Sequence, residues 1–343
     1  MDILSRWQNL SSSKFIPFQA SLELTNRCNE RCRHCYIDNF SDDPTRTLSL
    51  EQWEIVLKKL RKAGTLYLIL MGGEAMLNPH FEQILALSSK LGFYTSLITN
   101  GLKINTLEVA QRLKNLGLKQ VTFSVYSLSS PLHDSLTQVP GSLDRTLSAL
   151  HWCQEAGLEV GVNSLQNRET IEDFPRLFNY FRQMNIDVRD DITITSKFSG
   201  DLAPTKLRVT HQQLIKYYRF KKSLSSGEGQ SESNIGPGEY VCNVAKGKCA
   251  VTAYGELLGC IEVRDSLGSL VTQEFDELWQ SDKATGWREI KNKDLTGAKQ
   301  DVASKCNHCL GMARNEHADH LKVLDYSLTL HEAHQQVMSE GQS

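Results

Sequence analysis

The chain has 343 residues, 40% hydrophobic and 23% charged, with 38 Lys plus Arg against 40 Asp plus Glu and a formal net charge of −2. This length suits about two domains at ~150 residues each, and the composition excludes a disordered tail protein. The balanced charge argues against nucleic acid or an anionic membrane as the main partner, no apolar run approaches the ~20 residues that span a bilayer, and Met1 to Gln19 lacks the features of a signal peptide, so a cytoplasmic protein is expected.

The first two hundred residues alternate short apolar runs with amphipathic stretches. Ala20 to Thr25 alternates like a strand. Leu50 to Arg61 has helical spacing, with Ser49 and Gln52 in a capping-box pattern. Thr65 to Met71 reads as a buried strand, Phe81 to Leu91 as a helix, and Tyr94 to Thr99 as a strand. Leu107 to Leu116 is helical and closes at Gly117. Gln120 to Val125 is a strand, Ser142 to Ala156 a helix, Glu159 to Ser164 a strand and Ile171 to Met184 a helix. Asp191 to Thr195 completes six strands. Strands alternating with helices predict a parallel α/β sheet, as a partial barrel or a doubly wound sheet. Leu207 to Lys222 fits one helix. Ser223 to Gly238 is Ser/Gly-rich and reads as a linker or mobile loop. A hairpin is expected around Tyr254-Gly255-Glu256, and a polar tail with one helix follows Leu328.

Nine cysteines are many for a reducing compartment, where disulfides are rare. Three fall between positions 28 and 35, five between 242 and 309, and Cys153 stands alone in a helix at core spacing. Such clusters read as metal or iron–sulfur ligands. Cys28, Cys32 and Cys35 follow the first strand directly. A structural zinc site wants four protein ligands. Three thiolates on a 4Fe–4S cluster leave one iron open to a substrate or cofactor. The loop also sits at the C-terminal end of a strand, where barrel-like α/β folds carry their chemistry.

The CxxxCxxC loop after strand one, with further motifs in order on later strands, resembles the radical S-adenosylmethionine (SAM) superfamily over residues of about 20 to 196. The resemblance implies a partial (β/α)6 TIM-like barrel. It also implies that a SAM-binding 4Fe–4S cluster sits on Cys28, Cys32 and Cys35. Gly72, Gly73 and Glu74 match the segment that binds the SAM amino group. Asn100, in Thr99-Asn100-Gly101, and Ser124, at the end of strand four, match SAM contacts. His34 stands where the family has an aromatic residue beside the adenine. Asn163 reads equally as a SAM contact or a strand cap, and Tyr126 as facing substrate or packing. The stretch from His133-Asp134 to Pro140-Gly141-Ser142 resembles the family's peptide-modifying branch, although helix capping by Ser142 would also account for it.

The spacing of Cys242 and Cys260, then Cys306 and Cys309, resembles a Twitch domain, a shortened SPASM domain holding one auxiliary 4Fe–4S cluster. No cysteine follows Cys309, so a second auxiliary cluster is not expected. Cys249 has three readings: a ligand in place of Cys242, a hydrogen-atom donor to a substrate radical, or a packed thiol. His308, His317 and His320 could join Cys306 and Cys309 at zinc, although His at such spacing is more often incidental. The expected organisation is an N-terminal arm (1–18), the barrel (19–200), a helix and linker (201–239), the Twitch-like region (240–325) and a tail (326–343).

The implied activity is reductive cleavage of SAM to a 5′-deoxyadenosyl radical that modifies a substrate. Resemblance favours a ribosomally made peptide, with a crosslink, thioether or epimerisation as the outcome. The alternative is dehydrogenation of a small alcohol or aminocyclitol, which an acidic or hydroxyl-rich pocket would favour. A different class is a non-catalytic iron–sulfur or zinc protein that senses redox state or binds a partner. Implied partners are a flavodoxin- or ferredoxin-type electron donor and, since only about 20 residues precede strand one and a domain needs at least ~50, a separate leader-peptide-binding protein or direct capture.

Overall fold

The computed structural model describes residues 10–11, 13–224 and 236–340. The first half is built from β1 (Gln19–Glu23), α1 (Leu50–Lys62), β2 (Tyr67–Met71), α2 (Phe81–Lys90), β3 (Tyr94–Thr99), α3 (Leu107–Asn115), β4 (Gln120–Ser124), α4 (Ser130–Thr137), α5 (Ser142–Glu155), β5 (Glu159–Leu165), α6 (Phe174–Gln183) and β6 (Asp187–Asp191). Then come α7 (His211–Leu224), β7 (Lys248–Val251), β8 (Glu256–Leu258), β9 (Gly268–Ser269), α8 (Phe275–Trp279), α9 (Asp282–Arg288), α10 (Gln300–Ala303), α11 (Leu310–His317) and α12 (Asp325–Ser339). Most of the segment read as a linker, residues 225–235, lies outside the described residues.

Local chemistry explains the elements. In α1, Ser49 and Gln52 cap each other's backbone N–H, as the spacing predicts. The helix buries Trp53, Val56, Leu57 and Leu60 on one stripe. β2 is apolar throughout, as expected of a parallel strand covered on both faces.

Strands β1 to β6 are parallel and lie side by side in sequence order. A doubly wound sheet would reverse that order at a switch point. Winding in one direction with right-handed crossovers puts the helices on one face and the strand C-termini on one rim, as in a barrel. The fold is therefore the expected α/β partial barrel. β7 pairs in parallel with the other edge of β1, from Gln19↔Lys248 to Leu22↔Val251. The predicted hairpin follows as β7–β8, and β9 ends the nine-stranded sheet.

Strand six departs from expectation. It runs over Asp187–Asp191 rather than 191–195, because its last pairing is Leu165↔Asp191, where β5 ends. Its charged sequence suits a terminal strand, since charge blunts a free edge. The alternating Ile192 and Ile194 leave the sheet and are buried beyond it.

Arg264, beyond β8, makes a bidentate pair with Glu23 of β1 at 2.9 and 3.0 Å and lies 4.1 Å over the Phe198 ring. The Glu23 side chain is nearly buried and that of Arg264 is a quarter exposed. Glu23→Gln should therefore lower stability by about 2 kcal/mol, less than the ~3–5 kcal/mol for breaking a fully buried pair. A lower urea midpoint at unchanged slope is the expected readout.

Candidate active site

The rim of the barrel is assembled from backbone contacts first. A Cβ on Gly72 would lie 2.4 Å from the Thr25 carbonyl oxygen, and one on Gly73 2.4 Å from that of Arg27. Gly73 N–H donates to Thr25 O at 2.8 Å and Glu74 N–H to Arg27 O at 2.7 Å. The segment after β2 is thus laced to the start of the cysteine loop. On the loop's other side, Arg31 N–H donates to Thr137 O and Arg33 N–H to Leu136 O. The Asp134 carboxylate accepts from Gly141 N, Ser142 Oγ and Leu143 N. The His-Asp to Gly-Ser stretch therefore braces the loop, with Asp134 rather than Ser142 as the capping group.

Cys28, Cys32 and Cys35 line one cavity of about 480 Å³. Burial raises all three thiols, Cys28 to about 12. Left alone they would stay protonated, whereas a bound metal drives the proton off a coordinating thiol. Beside them, Glu30 Oε1 and His34 Nδ1 are buried without a hydrogen-bond partner. Three converging thiols with unsatisfied polar atoms fit a cluster having one open iron. Among the described residues, no three His, Cys, Asp or Glu side chains are grouped to hold a single metal ion.

His34, Gly72, Gly73, Asn100, Ser124 and Asn163 all line this cavity. Ser124 and Asn163 are register partners on β4 and β5, and Asn163 is followed by Arg189 on β6, so the three stand in a row. Asn100 Nδ2 donates to Asn29 Oδ1 at 2.7 Å and so also steadies the cysteine loop. His34 is held near 4 by burial and by His133, hence neutral, with its ring edge-on to Tyr126 at 4.7 Å. Glu74 is placed differently. Its buried carboxylate accepts from Met76 N, Thr99 Oγ1 and Asn100 N and does not line the cavity. Tyr36, which directly follows Cys35 and reads in sequence as packing beneath the cluster, lines it too, as do Arg189, Asp191, Thr195 and Glu262, which carry no site signal in the sequence reading. For Glu262, its position two residues after Cys260 was an available signal.

In the second cysteine group, the charges of Cys242, Cys260 and Cys309 act on one another. Burial, then Glu262, pushes Cys309 to about 12. A Cβ on Gly311 would lie 2.3 Å from Glu262 O, so the start of α11, capped by Cys309, is pressed onto the loop after Cys260. Cys306 is buried three residues before Cys309. Cys249 faces Ala20 across the β7–β1 pairing, belongs to the hydrophobic core and lines no part of the cavity. His308 Nε2 is taken up by His320 O at 2.8 Å. Replacing Cys306 and Cys309 together by Ala should remove one cluster, about four irons per chain, by colorimetric iron assay.

Glu262 lines the cavity and lies two residues from Cys260, so the two cysteine groups adjoin through it. The radical SAM superfamily model matches residues 22–181, and an iron–sulfur cluster-binding domain model, SPASM, matches residues 242–310. The AdoMet-dependent heme synthase of Methanosarcina barkeri is 22% identical over 333 residues, covering 89% of this chain and 95% of that protein. The sporulation killing factor maturation protein SkfB of Bacillus subtilis is 30% identical over 163 residues, 48% of this chain and 39% of its own. Among solved structures, Streptococcus suis SuiB bound to precursor peptide SuiA superposes with a TM-score of 0.69 at 18% identity, covering 95% of this chain and 80% of that one. The two family matches give this chain SAM and 4Fe–4S clusters as cofactors. The chain belongs to the radical SAM superfamily and is an enzyme of it with a C-terminal SPASM-type auxiliary cluster domain.

Proposed function

We propose that this enzyme oxidises a peptide, abstracting hydrogen from one side chain and joining or desaturating the carbon left behind. When bound at Cys28, Cys32 and Cys35, the cluster and SAM supply a hydrogen-abstracting 5′-deoxyadenosyl radical. His34, Gly72, Gly73, Asn100, Ser124 and Asn163 hold SAM in this reading, and Glu74 acts by fixing Thr99 and Asn100. Cys242, Cys260, Cys306 and Cys309 hold one auxiliary cluster. Glu262 lines the cavity two residues after Cys260, and an auxiliary cluster bound there would supply an acceptor for the electron that an oxidised substrate gives up.

The observation that carries the peptide reading is the position of β6. It ends the sheet, no strand pairs with its outer edge among the described residues, and its Arg189, Asp190 and Asp191 line the cavity. An extended peptide can add to such an edge through its backbone and turn alternate side chains inward. SkfB, which matures a killing factor, and SuiB, solved with its precursor peptide, support the same class. Haem is a broad anionic macrocycle. Lys221 pairs Asp190 and burial raises Glu30 and Glu262 to about 7, but Arg189 is the one cationic side chain among the described residues of the lining, so haem carboxylates meet no basic cradle, and the volume is in the lower part of the ~300–1,000 Å³ typical of small-molecule sites. The same acidic lining, with the hydroxyls of Thr193 and Thr195, supports a second reading, dehydrogenation of a small amino alcohol.

In the peptide reading a reduced flavodoxin or ferredoxin supplies the electron for SAM cleavage, and a separate protein delivers the leader. Anaerobically reconstituted enzyme with dithionite, SAM and a candidate precursor peptide should yield 5′-deoxyadenosine and a peptide lighter by two hydrogen atoms by mass spectrometry. Cys28→Ala should reduce both to background while retaining auxiliary iron. Oxidation of an aminocyclitol with no change in any peptide would select the second reading.

A further inference from the structure

Two buried cations form no ion pair with a carboxylate among the described residues. Lys246 is 4% exposed and Arg288 6%. Buried Lys and Arg are ordinarily paired with a carboxylate. Arg288 donates instead to the backbone oxygens of Ala245 and Trp279, at 2.7 and 2.8 Å, and lies over the Phe15 ring at 4.3 Å. Lys246 Nζ sits 3.0 Å from the centre of the Tyr240 ring. Glu239 and Glu289 are the carboxylates near enough to be felt, but both are exposed and neither forms an ion pair with it among the described residues. Lys246 follows Cys242 by four residues, on the turn that leads into β7.

The backbone is bent to put Lys246 there. Ala245 takes a left-handed φ of 51°, uncommon for a residue with a Cβ. Its N–H donates to Gly259 O at 2.9 Å, and Gly259 immediately precedes Cys260. A Cβ on Gly259 would come within 3.2 Å of the Ala245 Cβ, so the turn is pressed against the segment that delivers Cys260. Lys246 thus rides on a strained turn held between Cys242 and Cys260, with Arg288 gripping that turn from behind.

We propose that Lys246, reinforced by Arg288, is the built-in counter-charge of the auxiliary cluster and biases that cluster toward its reduced state. The inference rests on the reading of Cys242, Cys260, Cys306 and Cys309 as the auxiliary ligands. A cluster held by four thiolates is anionic and gains one more negative charge on reduction. A buried cation alongside stabilises the reduced form more than the oxidised form. That bias suits a cluster that takes an electron from a substrate. Lys246 acts through the cluster and touches no substrate, so it is a positioning residue for charge.

The test uses the full chain carrying Cys28→Ala, Cys32→Ala and Cys35→Ala, reconstituted with iron and sulfide so that only the auxiliary cluster is loaded. Its reduction is followed by electron paramagnetic resonance at set potentials. Lys246→Met should move the midpoint to a more negative potential, lowering the reduced-to-oxidised ratio at a fixed potential about tenfold for the loss of one buried charge. Lys246→Arg should restore it. Lys246→Gln carries the same comparison if methionine unseats the cluster. An unmoved midpoint in a neutral variant that retains its cluster overturns the proposal. Absence of any cluster signal in the parent triple variant overturns the ligand reading beneath it instead.

Discussion

The close passage of two backbones at the rim is the constraint on which the site depends. Gly72 and Gly73 let the chain leaving β2 touch the carbonyls of Thr25 and Arg27, where any side chain would collide. That contact fixes where the cysteine loop starts. It also turns Glu74 inward, away from the cavity, to gather Thr99 and the Asn100 N–H. Asn100 in turn holds Asn29 inside the loop. Three strand ends are thereby registered to the three thiols by hydrogen bonds that are mostly buried. Such a site is positioned by its supporting shell as much as by its ligands.

The loop is clamped from the opposite side by α4 and the Asp134 bracket, so its conformation does not rely on a bound group alone. The Tyr126 ring packs between His34 and His133 and continues this wall into the cavity. The Arg264–Glu23 pair joins the C-terminal region to β1, and Arg264 also covers Phe198, which packs on Tyr36, the residue after Cys35. The C-terminal region meets the cavity through Glu262.

The parallel strands were legible because β2, β3 and β4 are apolar in short runs bounded by Gly or polar turns. The CxxxCxxC loop was legible because its chemistry lies in one local stretch. What escaped was non-local or masked by charge. β6 reads as polar because it is an edge, and the apolar Ile192 and Ile194 just beyond it drew the reading four residues downstream. The α4 helix was missed because Ser130 and Pro131 look like a loop, although Pro suits a first helical turn. Glu74 showed its residue type but not its direction, which the glycines before it determine. The pairing of β7 with β1 joins residues more than two hundred positions apart, and periodicity carries no register between such segments.

That pairing has a consequence for how the two cysteine groups move. β7 is a neighbour of β1 in one continuous sheet, sharing its ladder of hydrogen bonds. A hinge between them would have to tear that ladder, so the spacing of the two regions is set once, at folding, and does not wait on closure. A polypeptide ending ahead of residue 240 would bare the β1 main chain along its whole length, an open template for sticking to other molecules.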